Sequence, residues 1–269
     1  MLAVSELFIY PVKSLGGFSV TAAKITDRGF EYDRRWMLVD SNNCFLTQRD
    51  FPQMALLQVQ LSDNGLKVYH KINSNENINI STSITTNDFS RVQIWSDTCK
   101  AQFVDPDYDK WFSDMLSMKC RLVYMPDNSI RRVDTRYASN KELTSFSDGY
   151  PFLMIGQSSL DDLNSRMVDP LPINRFRPNI VFTGGLPFQE DKMQHFSINK
   201  IQFYGVELCA RCVVTTINQD NGFKNKEPLK TLSTYRFKNN KIYFGQNLLH
   251  KGEGDIYVGD VINIHQQKP

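Results

Sequence analysis

Leu208-Cys209-Ala210-Arg211-Cys212-Val213-Val214-Thr215-Thr216 is where two kinds of fold part company in this chain. A CxxC pair followed by a helix would open a thioredoxin-like βαβ unit. The run after Cys212 is instead β-branched, which favours extended backbone, so 213–216 is predicted to continue as strand. The two thiols admit several chemistries. A zinc site needs about four ligands, yet no second CxxC is present and His70, His195, His250 and His265 are scattered. Two structural core thiols are one reading. A single thiolate on a soft or high-valent metal, with the second cysteine as neighbour, is the sharper one. Arg211 would favour that thiolate if its side chain points inward.

The segments around this stretch read mainly as strands. In 54–61, Leu57, Val59 and Leu61 share one face; Asp63-Asn64-Gly65 is a turn signal, and Leu66, Val68 and His70 resume the alternation, which predicts a hairpin. The Asn/Ser/Thr-rich stretch 73–90 predicts a solvated loop around a short edge strand with Ile78 and Ile80. Helices are predicted over 107–118, over 158–167 with Ser158 and Asp161 as a capping box, and after Pro228. The stretch 255–264 reads as two short strands about a Gly-Asp turn. Short strands and few helices predict an α+β, predominantly β protein of barrel type with peripheral helices. A seam is expected near 120–150, at Met125-Pro126-Asp127-Asn128 and the polar stretch 139–149, which gives units of 1–120 and 121–269.

At 269 residues, 41% hydrophobic and 22% charged, the chain can bury one large core or two modest ones. A net charge of +2 gives no argument for nucleic acid or a membrane surface as partner. The N-terminus lacks a basic-then-apolar leader, and no apolar run reaches the roughly 20 residues of a membrane helix. Five irregularly spaced cysteines suit a reducing compartment, so a cytoplasmic location is expected.

Cations gather at strand ends. Lys13 and Ser14 follow the apolar run Leu7-Phe8-Ile9, and Arg34 and Arg35 precede Met37-Leu38-Val39. Arg175 and Arg177 flank Phe176 ahead of Asn179 and Ile180-Val181-Phe182; in extended backbone the two arginines would share one face. Each cluster alone reads more readily as a solvated face. Together, beside a cysteine motif, they point to an anionic, phosphate-bearing cofactor. Asp148, in Ser147-Asp148-Gly149-Tyr150-Pro151-Phe152, reads by itself as a turn residue.

Taken in order, YPVKS (10–14), DRRW (33–36), SDGYPF (147–152), SLDDLN (159–164), FRPNIV (176–181), CARCVVTT (209–216), KEPLKTL (226–232) and YVGDVI (257–262) resemble the MOSC family. The closest resemblance is to its two-part members with an N-terminal β-barrel domain, among them bacterial reductases of N-hydroxylated bases and the mitochondrial amidoxime-reducing components. The resemblance implies a molybdopterin-type molybdenum cofactor. Lys13, Ser14, Arg34, Arg177 and Asn179, with Arg175 as a weaker match, would contact the pterin or its phosphate. Cys212 would donate its thiolate to molybdenum, and Asp148 would line the metal site as a catalytic carboxylate. Gly149 and Tyr150 stand where some relatives carry hydroxyl residues.

The activity so implied is reduction of an N-hydroxylated small molecule to an amine: two protons and two electrons enter, and water leaves. The chain has no cysteines to hold an iron–sulfur cluster of its own, so a separate flavoprotein, ferredoxin or cytochrome-type donor is expected. The alternative is a carrier that holds the cofactor, or a persulfide sulfur on Cys212, without turnover.

Overall fold

Val4 and Leu7 both point inward from the strand Ala3–Ile9 although three positions separate them; a register shift between Val4 and Glu6 absorbs the extra residue. With Phe18–Val20, which pairs with it antiparallel, this strand joins a sheet that otherwise comes from the second half of the chain. In the computed structural model, which describes residues 1–134, 136–138 and 142–268, it pairs antiparallel with Ile180–Thr183. Residues 135 and 139–141 of the expected seam lie outside the described residues. From Ile180–Thr183 the sheet continues through Phe152–Gly156, Lys241–Lys251, Ile201–Ala210 and Met193–Ile198 to Ile262–Gln267. The far edge then returns to the start: Val4 N donates to Asp260 O (2.9 Å), and Ile262 N donates to Leu2 O (2.9 Å). The sheet thus closes on itself as a barrel at its first strand, with Phe18–Val20 at the end of its strand order. Its filling includes Val4, Leu7, Ile9, Met154, Ile180, Phe182, Phe196, Phe203 and Leu248.

A second body of strands lies beside it. Trp36–Val39, Arg121–Tyr124, Asp97–Phe103 and Phe89–Ile94 form one sheet, and Leu57–Ser62, Gly65–His70 and Asn77–Ile80 another, with the helix Pro106–Leu116 packed against them. The expected hairpin and edge strand are thus present. Leu57 and Val59 are buried as predicted, while Leu61 near the turn is exposed. The predominantly β character and the barrel are borne out.

Three local expectations are corrected. Residues 213–216 form a 3-10 turn and not strand, because Thr215 Oγ1 donates to Cys212 O (3.0 Å) and Thr216 Oγ1 to Val213 O (2.7 Å). Such local hydroxyl bonds compete with a sheet ladder. The second helix, Gln157–Ser165, starts without the Ser158 box; its cap is Gly156, and Gln157 Nε2 bonds Asp161 Oδ1 instead. Ile173–Arg175 is a 3-10 turn and Arg177 has φ 55°, so Arg175 and Arg177 do not alternate on an extended segment.

Candidate functional site

The two bodies meet where the chain leaves its first strand. Residues 10–14 run beside 33–36: Lys13 N donates to Trp36 O (2.8 Å), and Arg34 N donates to Tyr10 O (2.8 Å). The Asp33 carboxylate, buried between the two segments, accepts from Tyr10 N (2.8 Å) and from Arg34 Nη1 (2.5 Å). Burial pushes this carboxyl up, and the Arg34 guanidinium opposes that rise. Ser14, Arg34 and Arg177 have φ of 67°, 50° and 55°. Non-glycine residues in left-handed backbone store strain of roughly 1–3 kcal/mol each and cluster at functional sites.

Arg34 and Arg177 converge on one ring: their guanidinium carbons lie 4.4 and 4.3 Å from the Tyr10 centroid. Arg34 Nη1 also donates to Asn179 Oδ1 (3.0 Å), and Arg177 Nη1 to Leu15 O (2.7 Å). Burial lowers Arg177 to about 10 and raises Tyr10 to about 12. Lys13 donates to Phe146 O (2.8 Å) and Asp148 Oδ1 (2.6 Å). Its burial lowers the ammonium to about 8 despite the Asp148 carboxylate. For Asp148, desolvation inside the cleft acts upward, but Lys13, Arg49 and Arg34 outweigh it and hold the carboxyl well below the usual range. Asp148 is therefore ionised at neutral pH, and the 69% exposure of its side chain to solvent acts in the same direction.

The two cysteines differ in their partners. Arg211 Nη1 lies 2.9 Å from Cys209 Sγ, and its Nη2 donates to Phe176 O (2.8 Å). Burial pushes the Cys209 thiol up against that guanidinium. Cys212 Sγ instead meets Arg49 Nη2 at 3.2 Å. Arg211 thus points inward, but to the first cysteine.

Lys13, Ser14, Arg34, Asp148, Arg177, Asn179, Cys209 and Cys212 all line one cleft, which holds about 930 Å³ of atom-free space, part of it open to solvent. Arg175 does not: it is buried elsewhere and donates to Thr215 O (3.2 Å). Arg49 and Gln48 line the cleft without having been singled out in the sequence; the polar run Thr47-Gln48-Arg49-Asp50 was the only signal. Tyr150 is committed to Glu207, its hydroxyl donating to Oε2 (2.8 Å). Gly149 has nothing within 4 Å of where a Cβ would stand, which keeps that side open.

The donor set has a definite chemistry. Five of the described lining residues are cationic against the single carboxylate of Asp148, which matches a multiply charged anion such as a phosphate ester. Among the described residues no three His, Cys, Asp or Glu side chains converge into a metal site. A metal at Cys212 would have to bring most of its ligands with it, as a metal carried by an organic cofactor does.

Comparison with known proteins agrees with this geometry. Residues 1–119 match the model of the MOSC N-terminal beta barrel domain, and residues 141–263 that of the MOSC domain. Mitochondrial amidoxime-reducing component 1 of Mus musculus is 31% identical over 97% of this chain and 82% of its own length. Mitochondrial amidoxime reducing component 2 of Bos taurus is 31% identical over 87% of this chain and 72% of its own. Molybdenum cofactor sulfurase of Oryza sativa subsp. japonica is 30% identical over 98% of this chain, which spans 35% of that longer protein.

Proposed function

The chain belongs to the MOSC family, and on that premise we propose that it binds a molybdopterin-type molybdenum cofactor and reduces N-hydroxylated small molecules to amines. The observation that carries this is one cleft in which the Cys212 thiol faces Lys13, Ser14, Arg34, Arg177 and Asn179. These residues would hold the pterin and its phosphate, and Cys212 would ligate the metal. When bound, the cofactor supplies two-electron chemistry and accepts oxygen from the N–O bond.

The chain's own residues do the rest. Arg34 and Arg177, stacked on Tyr10, present fixed charge to the phosphate end. Asp148 is ionised and so acts as acceptor, and Lys13 Nζ, bonded to it at 2.6 Å, holds a proton that burial has made labile. The pair can pass a proton to the departing oxygen and be recharged from solvent at the cleft mouth. A separate electron donor, a cytoplasmic location and the division into 1–120 and 121–269 belong to the same proposal. The first strand, Ala3–Ile9, crosses that division to complete the barrel.

Among the described residues no helix is long and apolar enough to cross a membrane. The alternative is a carrier that holds the cofactor or a sulfur without turnover. The deciding experiment purifies the chain from a cofactor-competent host, measures molybdenum, and assays benzamidoxime reduction with a chemical reductant. Metal with turnover supports reductase; metal without turnover supports carrier. Cys212→Ser is expected to abolish metal retention and Cys209→Ser to reduce it less. Equal loss in both would contradict the ligand assignment.

A further inference from the structure

Arg49 stands between the cleft and the protein surface, and both sides of its guanidinium are engaged. Nη2 lies 3.2 Å from Cys212 Sγ, while the guanidinium carbon sits 4.4 Å from the centroid of the Trp95 ring. The second carboxylate oxygen of Asp148 is farther, at 4.0 Å, so the sulfur contact is the closer one. The backbone of Arg49 is pinned as well: its N donates to Thr47 Oγ1 (2.9 Å) and its O accepts from Lys224 Nζ (2.7 Å).

Trp95 is built to hold that position. It sits at the tip of the hairpin Phe89–Ile94 and Asp97–Phe103 with φ 53°, a strained value for a bulky residue. Its ring packs edge-on to Phe45 at 4.8 Å, and its Nε1 points to Asp148 Oδ1 at 3.4 Å. A ring 40% exposed to solvent thus covers the outer side of the arginine. Arg211, the cation nearest to Cys212 in sequence, is occupied by Cys209.

We propose that Arg49, clamped by Trp95, is a positioning residue for the Cys212 sulfur and raises the reduction potential of a metal bound there. This rests on the reading that Cys212 ligates molybdenum. The physical reason is that an N–H···S bond from a cation withdraws electron density from a thiolate ligand, which stabilises the reduced metal. A guanidinium stacked on an indole keeps that donor aimed without reorganisation.

The test uses the cofactor-loaded protein and two readouts other than turnover: molybdenum content, and the midpoint potential followed by electron paramagnetic resonance. Arg49→Leu is expected to keep most of the metal and to move the potential to more negative values. Arg49→Lys should recover part of the shift, and Trp95→Leu should shift the potential in the same direction by less. Retained metal with an unchanged potential in Arg49→Leu would overturn the inference. If Arg49→Leu loses the metal, Arg49→Gln and Trp95→Leu decide: shifts in both support the tuning role, whereas unchanged potentials or loss of metal in both overturn it and leave Arg49 as scaffold. Metal retained by Cys212→Ser would instead bring down the underlying ligand assignment.

Discussion

The two ends of the strand Phe152–Gly156 treat a carboxyl group in opposite ways. Ahead of its first residue, Asp148 is surrounded by Lys13, Arg34 and Arg49 and is held ionised. At its last residue, Gly156 opens the helix Gln157–Ser165 beside Glu190, which is fully buried with Ser159 Oγ at 2.8 Å. Burial pushes Glu190 up to about 7, opposed by backbone hydrogen bonds and the hydrogen bond from Ser159. One end maintains charge where the proposed function needs an anion bound and a proton moved. The other packs a carboxyl that is best left neutral. What distinguishes the proposed site is therefore the surplus of cations around Asp148 and not the presence of an acid.

The largest effect is expected from disturbing the charged end. Arg34→Met leaves Asp33 buried without its guanidinium, and breaking a buried pair costs about 3–5 kcal/mol. Urea denaturation should show a loss in that range, and adding Asp33→Asn should recover part of it. A loss below about 1 kcal/mol would mean that the cations are not needed to keep acids ionised there.

The neutral end gives a smaller effect with a defined pH signature. The folded-state value of Glu190 lies above its ordinary value of 4.5, so its contribution is fully present below that pH and is lost as pH rises through about 7. Glu190→Gln should therefore leave stability nearly unchanged at pH 4.5 and raise it by roughly 1–3 kcal/mol at pH 8. A gain that is the same at both values would refute the burial account.

Sequence made the barrel and most of the cleft legible because the relevant signals are local. Alternation marked the hairpin at 57–70, and YPVKS, DRRW, FRPN and CARC each carried their own cation or thiol. What stayed hidden depends on distant partners. Arg49 reaches Cys212 across 163 positions, and nothing in Thr47-Gln48-Arg49-Asp50 announces it. The β-branched run 213–216 misled because two threonine hydroxyls satisfied nearby carbonyls and drew the backbone into a turn. Arg175 was misplaced for a related reason: the 3-10 turn Ile173–Arg175 and the left-handed Arg177 send the two arginines to different places.

Backbone strain in the cleft gives the smallest measurable effect. Distant turns place asparagine in left-handed backbone, as at Asn239 and Asn240 between the strands Phe237–Lys238 and Lys241–Lys251, where that residue type is well tolerated. The cleft puts Ser14, Arg34 and Arg177 there, residue types that carry more strain, as Tyr32, Ser117 and Phe188 do outside it. Relieving the strain at Ser14 with glycine should stabilise the fold by about 0.5 kcal/mol, because relief of roughly 1 kcal/mol exceeds the added chain entropy of glycine. Ser14 O would still accept from Gln48 Nε2 (2.7 Å), so the backbone position survives. The hydroxyl would not, and molybdenum retention should fall even as the melting temperature rises. Asn240→Gly should change stability by less than about 0.3 kcal/mol and leave metal content untouched. If Ser14→Gly lost stability as well as metal, the left-handed serine would be a feature of folding rather than strain accepted for the site.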